Sequence, residues 1–388
     1  MYIIHIGVSG FPSNSAPIQR ILLTLKGLKI LGLNPLVINK HSINIVQYNK
    51  INRQDGIPFV FTSLRCNRPK SFIFRNINRL SGVFGEGILL IKKRKKVHTA
   101  ILYTPSFGEL VYYRILSKLL GFKMIIQYVE LRSSISDRSS FFNKLNDNLF
   151  DNKFYFFCDG VIAISDFLIK HVREKDKDMP IIKIPAMCDF AEFDKISPYK
   201  GTPYLMYCGS IAYNEVIEFI IDLYYQLKTV NLYKGDLVLV ISGQHEVNWQ
   251  KIETKINEYG LFKNIIIKSN IPYPDLLSFY MGATVLIIPL RDTTQDIARF
   301  PHKIGEYTAA RRPILSSDLG ELAIYFKDGV SAILAKEYSI ASYQEKLNEV
   351  LQLGNNLDKI GETGHDIGIR NFDFHAQTIH LKEFILAL

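Results

Sequence analysis

The 388-residue sequence predicts an α/β chain of two doubly wound parallel-sheet domains in tandem. Three observations predict it. Short β-like apolar runs alternate with helical patterns along both halves, the rhythm of a parallel sheet covered on both faces. Residues 180–203 interrupt that rhythm with Pro180, Pro185, Pro198 and Pro203, after which it begins again. The length suits two domains, at roughly 100–200 residues each.

In the first half, Tyr2–Gly7 reads as a strand ending in glycine. Ile18–Leu31 reads as a helix, with Ile18, Leu22, Leu25, Leu28 and Leu31 on one face and Pro17 in the first turn, where proline is tolerated. Asn34–Asn39 is a second strand. Residues 42–85 read as polar and irregular, with basic residues spread through them. Strands follow at Thr99–Tyr103, Lys123–Val129 and Gly160–Ser165, and helices at Leu110–Leu120, Lys144–Phe157 and from Asp166. After the proline-bearing connection, strands are expected at Tyr204–Gly209, Asp236–Ser242, Ile265–Lys268, Thr284–Pro289 and Pro313–Ser316. The helices between them are Glu215–Thr229, Asn248–Tyr259, Pro274–Met281 and Lys303–Ala310. Phe372–Leu386 reads as an amphipathic helix. The expected domains are 1–195, with 371–388 returning to it, and 196–370. Ligands of such sheets bind beyond the carboxyl ends of the strands.

Composition narrows the class. Apolar residues make up 47% and charged residues 22%, enough for ordinary cores. No apolar run approaches the roughly 20 residues of a membrane span. The opening Met-Tyr-Ile-Ile-His-Ile-Gly lacks a basic region and a cleavage site, and reads as a first strand. Cys66, Cys158, Cys188 and Cys208 form no CxxC pair, so free thiols in a reducing cytoplasm are expected, with neither metal nor disulfides. Residues 1–200 carry 30 Lys+Arg against 15 Asp+Glu, and residues 201–388 carry 17 against 22. The basic half, with its run Lys92-Lys93-Arg94-Lys95-Lys96, suits an anionic partner: a membrane surface or a phosphorylated acceptor. No zinc-finger or RNP-type signature points to nucleic acid, and no GxGxxG follows either first strand.

Four blocks then recur in a specific order: Tyr204-Leu-Met-Tyr-Cys-Gly-Ser210; Ile271-Pro-Tyr-Pro-Asp-Leu-Leu-Ser-Phe-Tyr280; Val285 to Asp292 with Ala298-Arg-Phe-Pro-His-Lys-Ile-Gly-Glu-Tyr307; and Arg312 to Glu321. Over residues 204–350 this series resembles the donor-binding region of retaining glycosyltransferases of family 4. The resemblance implies the GT-B fold, two Rossmann-like domains facing each other across a cleft. It also implies metal-independent transfer of a sugar from a UDP- or GDP-sugar, with no cofactor beyond that donor. Of the family's two glutamates eight positions apart, the second falls on Glu306, whose two acceptor oxygens suit the ribose hydroxyls. The first is replaced by Ala298, with Asp296 two residues away as a substitute for contacting the donor sugar. The family's basic pair after the first strand of this domain is absent from Gly209-Ser-Ile-Ala-Tyr-Asn-Glu215.

A diphosphate leaving group needs fixed positive charge as its bond breaks. Arg299 and Lys303 are the nearest supply, and they are expected to clamp it. Phe300, Ile304, Gly209, Ser210, Gly243 and Tyr273 complete the expected donor site. In the first half, Gly10, in the glycine-bearing loop Gly7–Pro17, is expected over the donor phosphates. Glu130, at a strand's carboxyl end where relatives carry histidine, is the candidate acceptor-side base. The resemblance implies a glycan or polyprenyl-diphosphate-linked acceptor in bacterial-type surface polysaccharide synthesis, at the cytoplasmic face of the plasma membrane. Two other readings stand beside it: a GT-B sugar-nucleotide epimerase, and a non-catalytic nucleotide or glycan binder.

Overall fold

The computed structural model describes residues 2–7, 10–13, 15–43, 51–135, 140–352 and 356–388. Val8, Ser9 and Asn14 of the glycine-bearing loop lie outside the described residues. The chain divides into two compact units: residues 1–187 with 298–302 and 374–388, and residues 188–297 with 303–373.

The first unit runs β1 (Tyr2–Ile6), α1 (Ala16–Ile30), β2 (Asn34–Asn39), β3 (Ile51–Gln54), β4 (Ile57–Phe61), α2 (Phe72–Lys93), β5 (Val97–Leu102) and α3 (Phe107–Leu120). It continues with β6 (Lys123–Tyr128), α4 (Phe141–Lys153), β7 (Gly160–Ala163), α5 (Asp166–Lys175) and β8 (Ile181–Lys183). Among the described residues these strands form one sheet, ordered β3-β4-β2-β1-β5-β6-β7-β8. All its pairings are parallel except the β3–β4 edge pair.

The second unit opens with α6 (Phe190–Phe193), β9 (Tyr204–Ser210), α7 (Asn214–Thr229), β10 (Asp236–Ser242), α8 (Glu246–Glu258), β11 (Ile265–Lys268), α9 (Tyr273–Gly282) and β12 (Val285–Ile287). There follow α10 (Thr294–Ala298), α11 (Lys303–Ala309), β13 (Ile314–Ser317), α12 (Gly320–Tyr325), β14 (Ile333–Ala335), α13 (Ile340–Leu351) and α14 (Asn356–Phe372). The sheet order is β11-β10-β9-β12-β13-β14, parallel throughout. In chain order this is the 3-2-1-4-5-6 arrangement of a dinucleotide-type doubly wound fold.

The strands read as unbroken apolar runs because both faces are covered. Ile3, Val37, Phe59, Ile101 and Ile125 join one core with the apolar face of α1. Leu205, Leu237, Leu239, Val285 and Ile287 join another with Ile217, Ile220, Leu223 and Leu227 of α7. α1 begins with proline in its first turn, and Gly32, at φ +85°, turns the chain back into β2.

The described residues within 42–85 are more regular than their composition suggests. They contain β3, β4 and the first part of the 22-residue α2. The connection 180–203 likewise contains β8 and α6. In α2 the buried positions are Asn78, Gly82, Glu86 and Leu90, only one of them apolar.

The last helix, α15 (Phe374–Ala387), groups with the first unit and packs on α1. The contact depends on Gly27, where an added Cβ would lie 2.2 Å from Thr378 Oγ1. Glycine inside a helix ordinarily costs about 1 kcal/mol relative to alanine, so Gly27→Ala should stabilise α1 in isolation. Here the expected outcome is the reverse, a loss of about 1–3 kcal/mol from overpacking, read as a lowered midpoint in urea denaturation. A stabilised variant would show that α15 yields without cost.

Candidate functional site

In the second unit the strand order reverses between β9 and β12, and the loops leaving these two strands diverge there. The β9 loop starts at Gly209 and Ser210. Ser210 Oγ accepts from the Ala212 N–H at 3.3 Å, which fixes the short turn Ile211–Tyr213 before α7. The neighbouring β10 ends at Ser242, followed by Gly243 at φ +100°, a backbone conformation open to glycine. Two side chains of α8 pin this corner. Asn248 Nδ2 donates to the Ile211 carbonyl at 3.1 Å, and the indole N–H of Trp249 to the Gly243 carbonyl at 3.4 Å. The sequence analysis missed both. The signal available was the chain's single tryptophan, next to an asparagine in a first helical turn.

Glu306 lies in α11, buried, at 7% exposure. The Tyr273 hydroxyl donates to its Oε1 at 3.1 Å. Two residues named from different blocks of the sequence thus form one pair. Burial pushes the Glu306 carboxyl above the usual carboxylate range, opposed by the nearby Lys303 charge and by hydrogen bonding from Tyr273. The Tyr273 phenol is itself raised, by burial and then by the Glu306 charge. α11 is tied to the sheet through the Cys208 N–H, which donates to the Tyr307 hydroxyl at 3.2 Å. Ile304, fully buried on the same helix, seats it.

Asp296 is fully buried in α10. Both of its oxygens are engaged by Arg291: Nε to Oδ2 at 2.9 Å and Nη2 to Oδ1 at 3.2 Å. The Arg291 backbone N–H adds a third bond to Oδ2 at 2.9 Å. This planar fork is the strong form of a charged hydrogen bond. It locks the loop after β12 onto α10. Arg291 also reaches Glu215 at the start of α7, at 3.5 Å, which links the β12 loop to the β9 loop.

Arg299 and Phe300 follow α10 and group with the first unit, whereas Lys303 opens α11 in the second. Phe300 is buried and Arg299 half-buried. The Ala298 carbonyl accepts from Ser165 Oγ, the side chain that caps α5. In the first unit, the switch point lies between β1 and β5. Gly10, at φ +88°, follows β1, and among the described residues beyond its chain neighbours no atom lies within 4 Å of where its Cβ would stand. Glu130 follows β6, half-buried; the half-buried Tyr103 phenol is raised by burial, with the Arg132 charge opposing and the Glu130 charge adding to the shift. His5 is core: fully buried, hydrogen-bonded to Gln127 and lowered to about 4 by burial. Among the described residues no group of His, Cys, Asp and Glu side chains is placed to hold a metal ion, and no helix is long and apolar enough to cross a membrane.

With this geometry in place, comparison with known proteins is informative. Residues 189–366 match the family model "Glycosyl transferases group 1". A curated relative, D-inositol 3-phosphate glycosyltransferase 1 of Catenulispora acidiphila, is 22% identical over 110 residues, covering 28% of this chain and 25% of that protein. The alignment therefore spans only about a quarter of that relative. Among solved structures, sucrose-phosphate synthase of Thermosynechococcus elongatus superposes with a TM-score of 0.76 at 14% identity, covering 100% of this chain and 98% of that one. HepE of Anabaena, solved with UDP, superposes with a TM-score of 0.69 at 14% identity, each chain covered in full (100%). At these identities the likeness shows the fold. The chain has the GT-B architecture of two Rossmann-like units, and the match to the group 1 family model falls mostly on the second of them.

Two outcomes follow from the site's electrostatics. Removing one partner of a buried ion pair costs about 3–5 kcal/mol, and Arg291 is partly exposed, so Arg291→Met is expected to lose about 3 kcal/mol in urea denaturation. The double variant Arg291→Met/Asp296→Leu should recover most of that loss; a single variant as stable as the parent would show the pair to be incidental. For Glu306, the folded-state pKa lies above the unfolded one. The stability it confers is full below the unfolded carboxylate pKa and is lost as pH rises through the folded value. Glu306→Gln should therefore melt above the parent at neutral pH, with the gap closing as the pH falls. A parent that melts higher at neutral pH would mean that the Lys303 attraction outweighs burial.

Proposed function

We propose that the protein transfers a sugar from a UDP- or GDP-sugar to a glycan or polyprenyl-diphosphate-linked acceptor. The reading includes retention at the anomeric carbon, no metal ion, and a place in surface polysaccharide synthesis of the bacterial type. The observation that carries it is the buried Glu306 carboxylate, held by Tyr273 beside the end of β9 within the group 1 domain. An ionised carboxylate with one oxygen set by a phenol keeps acceptor capacity for the cis-hydroxyls of a ribose. The raised pKa suits the role, because bonds from ribose hydroxyls compensate a charge that burial disfavours in the empty site. HepE, solved with UDP and with UDP-glucose, supports a nucleotide-sugar donor.

Other residues take roles in the same reading. Gly209, Ser210 and Gly243 bring backbone close to the donor. Arg299 and Lys303 neutralise the diphosphate as negative charge develops on it, a contribution that acts on the transition state more than on the ground state. The fork with Arg291 leaves Asp296 a positioning residue for the β12 loop. In a retaining transfer without a protein nucleophile, the bond from the anomeric carbon to the phosphate oxygen breaks. The bond to the acceptor oxygen forms on the same face, and the acceptor proton passes to the departing phosphate. Glu130 then serves the acceptor hydroxyl by orientation and charge.

A thermal-shift screen with UDP, GDP, ADP, CMP and their sugars tests the reading, since a ligand that binds only the folded state raises its melting temperature. UDP or GDP and their sugars are expected to shift it; a flat response to all of them overturns the proposal. Glu306→Gln should weaken the preferred nucleoside diphosphate about tenfold, roughly 1.4 kcal/mol, and leave its 2′,3′-dideoxy analogue unaffected. Arg299→Ala should lower turnover by more than about tenfold, and near-normal turnover would remove it from the phosphate site.

A further inference from the structure

α2 is an inverted amphipathic helix. Ile73, Ile77, Leu80, Phe84, Ile88 and Ile91 are spaced by four, three, four, four and three residues, one stripe of an α-helix. All six face solvent, at 48–72% exposure. Phe72 and Phe74 add to the stripe's first turn, both exposed. The helix meets its own domain through its polar and small face instead. Asn78 is bonded twice to the Arg65 backbone, Oδ1 accepting at 2.7 Å and Nδ2 donating at 3.0 Å. An added Cβ at Gly82 would lie 1.8 Å from the Lys40 carbonyl oxygen, and one at Gly85 2.2 Å from that of Thr62. Glu86 is fully buried and accepts from the Tyr113 hydroxyl at 3.2 Å. A turn of the helix that buried the stripe would break all these contacts, so the apolar face is held outward. Neighbouring helices also expose apolar side chains. α3, which contacts α2, exposes Ile115 and Leu119, and α4, which contacts α3, exposes Phe141 and Phe142.

Soluble monomers seldom leave a contiguous apolar patch beyond a few hundred Å² uncovered. The charge around this one identifies what covers it. From Arg65 to Lys96 the sequence carries ten basic residues and one acidic residue, Glu86, which is buried. The exposed charge flanking the stripe is therefore all positive, and it is densest at the helix's end, Lys92 to Lys96. Two copies joined through this face would bring like charges together. A nucleic acid would satisfy the cations and leave the stripe wet. An anionic bilayer takes both parts, the stripe at the acyl boundary and the cations among the headgroups. The helix is not apolar enough to cross the membrane, so it lies along the surface.

We propose that α2 docks the first unit on an anionic lipid bilayer. The surface stands on its own observations and rests on the reading above only for the identity of the membrane-borne acceptor.

Sedimentation of the full chain with vesicles tests it, with no nucleotide present. Binding is expected to vesicles of phosphatidylglycerol and phosphatidylcholine, at least about tenfold stronger than to phosphatidylcholine alone, and weakening with salt. Phe84→Ser/Ile88→Ser should lose at least about tenfold of that binding. Its circular dichroism, melting temperature and nucleotide-induced shift should match the parent, because both side chains are exposed. Replacing Lys92, Lys93, Lys95 and Lys96 with Gln should also weaken binding and flatten its salt dependence. Equal binding by the parent and the serine variant overturns the proposal. So does a parent that ignores vesicles, including one whose sedimentation equilibrium shows a dimer that the serine variant abolishes. Nucleotide shifts are read without vesicles, so failure of docking and failure of the transferase reading are separate results.

Discussion

The structure depends on one constraint, the need of a parallel strand to have every backbone group paired and both faces covered. Parallel strands cannot be joined by tight turns, so each connection crosses over a face as a helix. Starting from β9, the chain builds outward through β10 and β11, then returns to the other side of β9 through β12, β13 and β14. The first unit does the same around β1. At each reversal two neighbouring loops leave in opposite directions, and backbone is exposed without a helix over it. Gly10 lies at one such point, and Gly209, Ser210 and the Arg291 loop at the other.

Within the second unit, two acidic side chains near that point have different partners and so different uses. Asp296 meets a guanidinium that matches both of its oxygens, a closed arrangement that stiffens a loop. Glu306 is raised by burial, opposed by the Lys303 charge and by hydrogen bonding from the phenols of Tyr273 and Tyr280. A group whose charged form is incompletely compensated gains most from an incoming donor of hydrogen bonds. Geometry thus ranks the two carboxylates, though in the sequence they are ten positions apart and alike in kind. The raised state of Glu306 has its origin in burial.

Much of the fold was legible in the sequence because its signals are local and repetitive. Apolar runs such as Leu237–Ile241 cannot sit anywhere but in a doubly covered strand, and the Pro17 start of α1 is set by proline's missing N–H. The order of blocks around Glu306 placed the second unit. What stayed hidden was long-range pairing. Nothing in the run Arg291 to Asp296 announces a fork between its two ends, since an arginine and an aspartate five apart on a loop read as solvated charges. The Tyr273–Glu306 pair joins residues 33 apart, and the α8 clamp on Gly243 depends on a loop closing back on a helix. α2 was hidden for the opposite reason. Its periodicity is present, but it begins within a polar stretch whose basic residues mask a regular stripe.

That failure is instructive about what periodicity means. A 3.6-residue stripe of apolar side chains states that a helix has an apolar face; it does not state that the face meets the protein's own core. The opposite face decides. In α1 the apolar side chains of Ile18, Leu22 and Leu25 are buried in the core. In α2 the inward face holds Asn78, Gly82 and Glu86, groups with specific backbone or hydroxyl partners and, at the glycine, no room for a side chain. Glu86, pushed up to about 7 by burial despite the nearby Lys40 charge, would be more comfortable in water, yet it is the residue kept inside while Phe84 and Ile88 stand outside. A chain that buries a carboxyl and exposes a phenylalanine two positions away presents an apolar face that the proposed bilayer contact would take out of water.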